Sequence, residues 1–168
     1  MPDAVELGLD RALDDLVFQG QTHTDAPEHA ECKWKVLLAE DNPVLQQLAE
    51  RQLRKFGLDV LIVSNGQEAV SEFKKHNKEN ATGFDAIFMD CQMPEMDGYE
   101  ATMEIRRLEE TAGGRVPIVA MTAGAMPSDR ERCIRSGMDD YLSKPVGHEQ
   151  LRRVIASWIP LALNANNS

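Results

Sequence analysis

The stretch Ala86-Ile87-Phe88-Met89-Asp90, which continues as Cys91-Gln92-Met93-Pro94-Glu95-Met96-Asp97-Gly98, decides the fold. Its first four residues are apolar, as in a strand that is buried on both faces of a parallel sheet. The run then ends in the carboxylate of Asp90. Open α/β sheets bind ligands beyond the carboxyl ends of their strands, so Asp90 lies where chemistry is expected.

Three further apolar segments end in polar groups in the same way. In chain order these groups are Glu40 and Asp41 after Val36–Ala39, Thr122 after Ile118–Met121, and Lys144 after Tyr141–Ser143. Taken singly, each residue also fits a helix cap, a turn or a surface position. Taken together at strand ends, three carboxylates, a hydroxyl and an ammonium predict a site for a divalent cation and a phosphoryl group.

Strand and helix signals alternate along the chain between residue 34 and residue 160. The strands are predicted at 35–39, 60–63, 86–89, 118–121 and 141–143. Asn42-Pro43 should cap and begin the helix after the first strand, Gly98 should open the third helix, and Ser128 or Asp129 should cap the fourth. Repeated βα units with apolar strands predict an α/β fold, in which helices cover both faces of a parallel sheet.

The ends of the chain differ from this pattern. Residues 1–33 read as an N-terminal tail or interdomain linker, although leucine spacing leaves a short docking helix open there. Residues 34–160 form the predicted domain, and residues 161–168 read as a C-terminal tail.

Composition narrows the class of protein. The formal net charge of −10 argues against direct nucleic-acid binding, which needs basic surface. Cys32, Cys91 and Cys133 are isolated, which argues against zinc and favours a reducing, intracellular setting. The chain shows neither an apolar run long enough to cross a membrane nor a secretory signal. We therefore expect a cytoplasmic domain that makes no membrane contact through this segment.

The strand-end residues predict particular roles. Crowded carboxylates repel one another unless a cation neutralises them, and Mg²⁺ prefers oxygen ligands. Asp41 and Asp90 are candidate direct ligands, Glu40 a ligand through water, and the backbone carbonyl of Gln92 a further oxygen; Mn²⁺ could substitute for Mg²⁺. The Asp90 carboxylate can also attack phosphorus and form an acyl phosphate. Lys144 would then neutralise phosphoryl oxygens, and Thr122 would donate from its hydroxyl.

These residues resemble the phosphoacceptor receiver domain of two-component signalling. The resemblance covers roughly residues 34–160 and rests on four segments, which are Val36–Asn42, Met89–Gly98, Ala120–Ala123 and Asp139–Pro145. It implies a flavodoxin-like (βα)5 three-layer sandwich with strand order 2-1-3-4-5. It also implies that Pro145 follows a cis peptide bond, as receivers usually show.

The same resemblance implies the function. Asp90 would take a phosphoryl group from a phosphohistidine on a histidine kinase or a histidine phosphotransfer protein. Glu40 and Asp41 would serve Mg²⁺, Lys144 would contact the phosphoryl oxygens, and Thr122 and Tyr141 would form a conformational switch. The segments near Asn42 and Thr122 are most similar to receivers of hybrid sensor histidine kinases. Such a domain is not a stand-alone enzyme, and it is expected to be a monomer or a weak dimer.

Two other functions stay open at this point. The first is a phosphatase of the haloacid-dehalogenase type, which also uses a strand-end aspartate with Mg²⁺. That class has an acid two residues after the nucleophile, where this chain has Gln92. The second is a pseudo-receiver that acts as a constitutive interaction module, against which the full set of strand-end residues argues.

Overall fold

Strands and helices alternate throughout the part of the chain that the structure, a computed structural model, describes: residues 34–77, 83–124 and 126–165. The strands are β1 Trp34–Ala39, β2 Leu58–Val63, β3 Ala86–Asp90, β4 Ile118–Thr122 and β5 Asp140–Ser143. The helices are α1 Pro43–Lys55, α2 Gly66–His76, α3 Gly98–Ala112, α4 Pro127–Ser136, α5 His148–Trp158 and α6 Pro160–Ala165. Residues 1–33, for which the sequence predicted a tail, linker or docking helix, lie outside the described residues.

The five strands form one parallel sheet in the order β2-β1-β3-β4-β5. This order confirms the flavodoxin-like α/β fold predicted from the sequence. The observed strands include the predicted ones and extend each of them by one or two residues. As a result, Asp90 and Thr122 are the last residues of β3 and β4 rather than the first residues after them.

Both faces of the sheet are covered, which explains why its central strands are apolar without alternation. Successive side chains of a strand point to opposite faces. Leu38 and Phe88 accordingly pack with α1 and α5, while Leu37 and Ile87 pack with α2, α3 and α4. These four side chains are at most 1% exposed. The core therefore consists of two apolar layers that hold the sheet between them.

Local sequence determines how the helices begin and end. Asn42 accepts hydrogen bonds from the backbone N–H groups of Val44 and Leu45, and Pro43 is the first residue of α1, as predicted. The prediction that Ser128 or Asp129 caps α4 is wrong. The cap position is Met126, which makes no side-chain capping hydrogen bond. The φ of Pro127 is fixed near the helical value, so the helix starts two or three residues earlier than the polar residues suggested.

The C-terminal segment also differs from its prediction. Residues 160–165 were expected to lie at or beyond the domain end, but they form α6. Ala162 is fully buried in the same layer as α5, and Leu163 packs against that layer. The apolar residues of this short segment find a surface that sequence inspection could not show. No helix in the described ranges is long and apolar enough to cross a membrane.

A buried ionic cluster joins α3 to the beginnings of β4 and β5. Arg106 contacts the carboxylates of Glu109 at 2.8 Å and Asp139 at 2.6 Å, and it also donates to the backbone carbonyls of Val116 and Gly137. Glu109 and Asp139 in turn accept from backbone N–H groups of the segment that enters β4. The cluster fixes the end of the sheet opposite to Asp90.

Candidate functional site

Strand register brings the polar strand ends together. Ala39 pairs with Met89, so the residues that follow them, Glu40 and Asp90, emerge side by side. Thr122 pairs with Ser143, which places Lys144 just past the end of β4. The backbone N–H of Lys144 donates to the carbonyl of Thr122 at 2.8 Å. The predicted site residues thus converge because parallel strands end at a common edge.

A carboxylate cluster occupies this edge. Glu40, Asp41 and Asp90 each offer an oxygen, and the three oxygens lie within 4.8 Å of one another. Glu40 and Asp90 are 2% and 3% exposed, whereas Asp41 is exposed. Hard oxygen ligands at this spacing, open to solvent on the Asp41 side, fit a divalent cation of the Mg²⁺ type.

Lys144 supplies a positively charged side chain to the carboxylate cluster. Its ammonium lies 2.7 Å from a Glu40 oxygen and 2.9 Å from an Asp90 oxygen. Burial alone would lower the pKa of Lys144, but the hydrogen bonds to Glu40 and Asp90 outweigh burial and raise that pKa above its usual value. Lys144 therefore carries a positive charge directly beside Asp90. The peptide bond between Lys144 and Pro145 is cis, as the resemblance implied.

Asp90 is held in an environment that disfavours its charge. Burial raises the pKa of Asp90 from 3.8 to about 6, and the negative charge of Glu40 adds to the rise. Hydrogen bonds from Lys144 and from the backbone N–H of Gln92 oppose this shift and keep it moderate. An added cation would lower the pKa again and leave Asp90 as a carboxylate, the form that can attack phosphorus.

Neighbouring backbone fixes the carboxylates in place. The backbone N–H of Asn42 donates to Glu40 at 3.1 Å, and the Gln46 side chain donates to the Glu40 carbonyl at 2.5 Å. Gly98 packs so closely on the Asp90 carbonyl that a Cβ at this position would overlap it. These supporting roles of Gln46 and Gly98 were not predicted, because they depend on how the short loops after β1 and β3 fold back onto the strand ends.

Thr122 and Tyr141 line a separate cavity of about 240 Å³ next to the cluster, together with residues of α4. The Thr122 hydroxyl accepts a hydrogen bond from the backbone N–H of Gly124 at 3.1 Å and lies 3.2 Å from the Gly124 carbonyl. Tyr141 is half-buried, and its ring faces the guanidinium of Arg130 at 5.3 Å. The two predicted switch residues are therefore adjacent, and the hydroxyl of Thr122 is bonded to its own loop rather than to Asp90.

The carboxylates open into a larger cavity of about 630 Å³. Asp90, Gln92, Thr122 and Lys144 line it, so the residues predicted to bind the metal and the phosphoryl group face one space, while Tyr141 lines the neighbouring cavity. Tyr99, Asp129 and Arg132 also line this cavity, and the Arg132 guanidinium lies 4.2 Å above the Tyr99 ring. Sequence reasoning missed these three residues, because nothing in their local pattern separates them from the exposed faces of ordinary helices.

Comparison with known proteins agrees with this geometry. Residues 36–156 match the family model described as response regulator receiver domain. The chain belongs to the response regulator receiver domain family. The receiver domain is 42% identical over 134 residues to hybrid signal transduction histidine kinase I of Dictyostelium discoideum. That match covers 80% of this chain but only 8% of the relative's length, so the chain spans a small part of that curated protein.

Two solved structures show the same fold. The first is the receiver domain of sensor histidine kinase PA1611 from Pseudomonas aeruginosa, with a magnesium ion coordinated in its active site cleft. It is 45% identical with a TM-score of 0.64, and the match covers 76% of this chain and 98% of that one. The second is the complex of the Saccharomyces cerevisiae histidine phosphotransfer signaling protein Ypd1 with the receiver domain of its downstream response regulator Ssk1. The matched chain of this complex is 36% identical with a TM-score of 0.68, and the match covers 75% of this chain and 88% of that one.

The residues of the site argue against the two alternative functions. In the receiver domain, the position of the second acid of a dehalogenase-type phosphatase is occupied by Gln92, whose backbone N–H donates to Asp90 at 3.1 Å. An amide side chain does not supply the acid and base chemistry that such a phosphatase needs. The joint presence of the carboxylate cluster and Lys144 at one edge does not fit a degenerate pseudo-receiver.

Proposed function

We propose that this receiver domain accepts a phosphoryl group on Asp90 from a phosphohistidine and relays a two-component signal through a change of conformation. The observation that carries the proposal is the buried Asp90 carboxylate, which lies 2.9 Å from the Lys144 ammonium and beside two further acids. A nucleophile, a fixed cation and oxygen ligands for a metal thus meet in one cavity.

The chemistry follows from these positions. An Asp90 oxygen attacks the phosphorus of the phosphohistidine, a new O–P bond forms as the P–N bond breaks, and the imidazole leaves. Charge on the transferred group spreads over its equatorial oxygens, so catalysis depends on positioning and on neutralising that charge. Lys144 is already held by Asp90 and Glu40 and need not reorganise to meet the incoming oxygens.

Mg²⁺ is the proposed cofactor, and Mn²⁺ could take its place. Asp41 and Asp90 would hold the ion, with Glu40 acting through water and the Gln92 backbone carbonyl as a further oxygen. When bound, the ion neutralises the carboxylates and the phosphoryl oxygens. The support is the oxygen cluster itself, together with the magnesium ion in the related Pseudomonas receiver.

The switch proposed for the receiver domain uses Thr122 and Tyr141. A phosphoryl group on Asp90 adds acceptor oxygens in the cavity that Thr122 also lines, so the Thr122 hydroxyl gains a new partner in competition with Gly124. Its movement would let Tyr141 turn into the adjoining 240 Å³ cavity. The signal is then a shift of population between two packings of the β4–α4 loop and β5.

The proposed partners are a histidine kinase and a histidine phosphotransfer protein, as in the yeast complex. Helix α1 begins beside the carboxylates and exposes apolar Val44 and Leu48, which offers such a phosphodonor a surface next to Asp90. The similarity to a hybrid kinase supports a place within a larger kinase, acting in the cytoplasm. We propose a monomer or weak dimer that contacts neither nucleic acid nor membrane through this segment.

The test is phosphorylation of the purified chain by acetyl phosphate with Mg²⁺ and by a phosphorylated histidine phosphotransfer protein. Intact mass should show one added phosphoryl group that is labile to acid and base. Asp90→Asn should add none, because the amide keeps the shape but cannot act as the nucleophile. Asp97→Asn is the matched control, since Asp97 caps α3 in the same loop and an asparagine can still cap. Equal phosphorylation of Asp90→Asn and the wild type would refute the assignment.

A further inference from the structure

Two cysteines lie in contact directly behind the Asp90 site. Cys91 is the residue after β3, and Cys133 lies in the middle of α4. They are 42 positions apart in sequence, yet their sulfurs are 3.9 Å apart, with both thiols free. They are 3% and 2% exposed and belong to the same apolar layer of the core. The third cysteine, Cys32, lies outside the described residues.

We propose that Cys91 and Cys133 are a modification site, at which a small hydroperoxide such as hydrogen peroxide converts the thiol pair into an intramolecular disulfide. A disulfide has an S–S length of about 2.05 Å, so the sulfurs must approach by roughly 1.9 Å. A single χ1 angle positions each sulfur, so closing this gap requires rotation of the two side chains and adjustment of the backbone that carries them. The contact between them already exists in the folded protein.

The pair can be reached by a small oxidant even though it is buried. Cys91 lines the 630 Å³ cavity that also contains Asp90, and Cys133 lines the 240 Å³ cavity beside Thr122. Hydrogen peroxide has two heavy atoms and is neutral, so the free-energy cost of its entry into either cavity is small. Bulky disulfide reagents are too large to enter these cavities as easily. We therefore propose small hydroperoxides as the class of oxidant.

The reaction balances with hydrogen peroxide as the two-electron oxidant. The hydrogen bond from Cys91 lowers the pKa of Cys133 to about 7. Cys133 is therefore the sulfur more readily ionised. Its thiolate attacks one peroxide oxygen, the O–O bond breaks, and water leaves with a proton from solvent. The sulfur of Cys91 then attacks the Cys133 sulfenic sulfur and the S–S bond forms as the S–O bond breaks. The departing hydroxide takes the proton of the Cys91 thiol and leaves as a second water.

A bond here would tie the residue that follows Asp90 to α4. Helix α4 follows the loop that begins after Thr122, so the crosslink would join the two segments that the phosphorylation switch moves relative to each other. This consequence rests on the proposed function, whereas formation of the disulfide does not. Identifying the crosslink by mass therefore tests the inference whether or not Asp90 accepts phosphate.

The experiment uses the full chain with its three cysteines and the Cys32→Ser variant. Each is treated with hydrogen peroxide at neutral pH, quenched with catalase and alkylated in denaturant, and the free thiols are counted by intact mass. We expect the folded Cys32→Ser variant to fall from two alkylatable thiols to none, and dithiothreitol to restore both. Peptide mapping without reductant should give a linked Cys91–Cys133 pair in this variant and in the wild type.

Two controls make the outcome decisive. Wild-type protein oxidised in urea should give mixed pairings that include Cys32, which shows that the folded geometry selects the pair. The double variants Cys32→Ser/Cys91→Ser and Cys32→Ser/Cys133→Ser should give no intramolecular link. The proposal is overturned if both thiols of the folded Cys32→Ser variant stay alkylatable, or if they appear only as sulfinic or sulfonic acids. It is also overturned if every linked peptide pair from the folded wild type includes Cys32.

Discussion

The affinity of the receiver domain for Mg²⁺ should fall steeply below neutral pH, because Asp90, the proposed ligand, must lose a proton before it can hold the ion. In the metal-free protein, burial raises the pKa of Asp90 to about 6 from 3.8. Metal binds the carboxylate form, so a proton competes with the ion at every pH below that value. The perturbation is thus a change of pH from 7 to 5, with the protein otherwise unaltered.

The magnitude follows from the shifted pKa. With a pKa of about 6, proton competition weakens binding by a factor of about 1.1 at pH 7 and about 11 at pH 5. The apparent affinity should therefore fall about tenfold, or roughly 1.4 kcal/mol, over these two pH units. An aspartate with the ordinary value of 3.8 would change the affinity by less than about 10% over the same range.

The assay is a Mg²⁺ titration at pH 7, 6 and 5 that follows the backbone amide resonances of residues 90–92 and 144. A direct pH titration of the Asp90 carboxyl carbon in metal-free protein gives the midpoint independently. Lys144→Ala removes a hydrogen bond that lowers the pKa of Asp90, so the midpoint should move above about 6 in that variant. An Mg²⁺ affinity that changes less than twofold between pH 7 and 5 would refute the reasoning.

The raised pKa of Asp90 also makes the free energy of unfolding depend on pH. The direction of this dependence is opposite to that of a surface carboxylate whose pKa is lowered by an ion pair. Between pH about 4 and 6, the folded metal-free protein retains a proton on Asp90 that the unfolded chain has released. This contribution to the free energy of unfolding is therefore present below pH 4 and is lost as pH rises through that window. Added Mg²⁺ binds the ionised form and should oppose the loss.

Two further substitutions test the supports of the site. Arg106→Ala should destabilise the domain by about 3–5 kcal/mol in urea unfolding, because it leaves the buried Glu109 carboxylate without its cation. Asp139 also loses Arg106 but keeps its ion pair with Arg115. Arg107→Ala, at an exposed ion pair, should cost less than about 0.5 kcal/mol, and equal costs would contradict the role of the cluster. Gly98→Ala should cost about 1–3 kcal/mol and slow phosphorylation of Asp90, because the new Cβ overlaps the Asp90 carbonyl. Gly147→Ala, where a Cβ meets nothing within 4 Å, should leave phosphorylation unchanged and cost at most about 1 kcal/mol, the loss expected when alanine replaces glycine at the N-cap of α5.

Much of the fold could be predicted because its signals are local. A run such as Ala86–Met89 is apolar at every position since both faces of its strand are covered, and this property is visible without knowing what covers them. Asn42-Pro43 marks the start of α1 through its own hydrogen bonding and fixed φ. The misplaced start of α4 shows the limit of such signals, because Pro127 and the two polar residues after it gave competing indications.

The candidate site was predictable for a related reason. Each strand contributes one polar residue at its end, and parallel strands must present those ends at one edge of the sheet. Asp90, Thr122 and Lys144 could therefore be grouped before any distance was known. The sequence could not predict the protonation of Asp90, because the pKa of this residue depends on burial and on Glu40 and Lys144 together.

By itself, then, the sequence determined the alternation of strands and helices, the parallel sheet and the set of polar residues at its edge. Each strand, each helix and each strand-end polar residue has a signal in residues that are close together in the chain. Only the tertiary structure decided which distant side chains touch. The pairing of Lys144 with Glu40, the contact of Cys91 with Cys133 and the burial of Ala162 all join segments whose separation in sequence carries no signal. Such contacts are set by strand register and by close packing of the two core layers, which act only when the whole chain has folded.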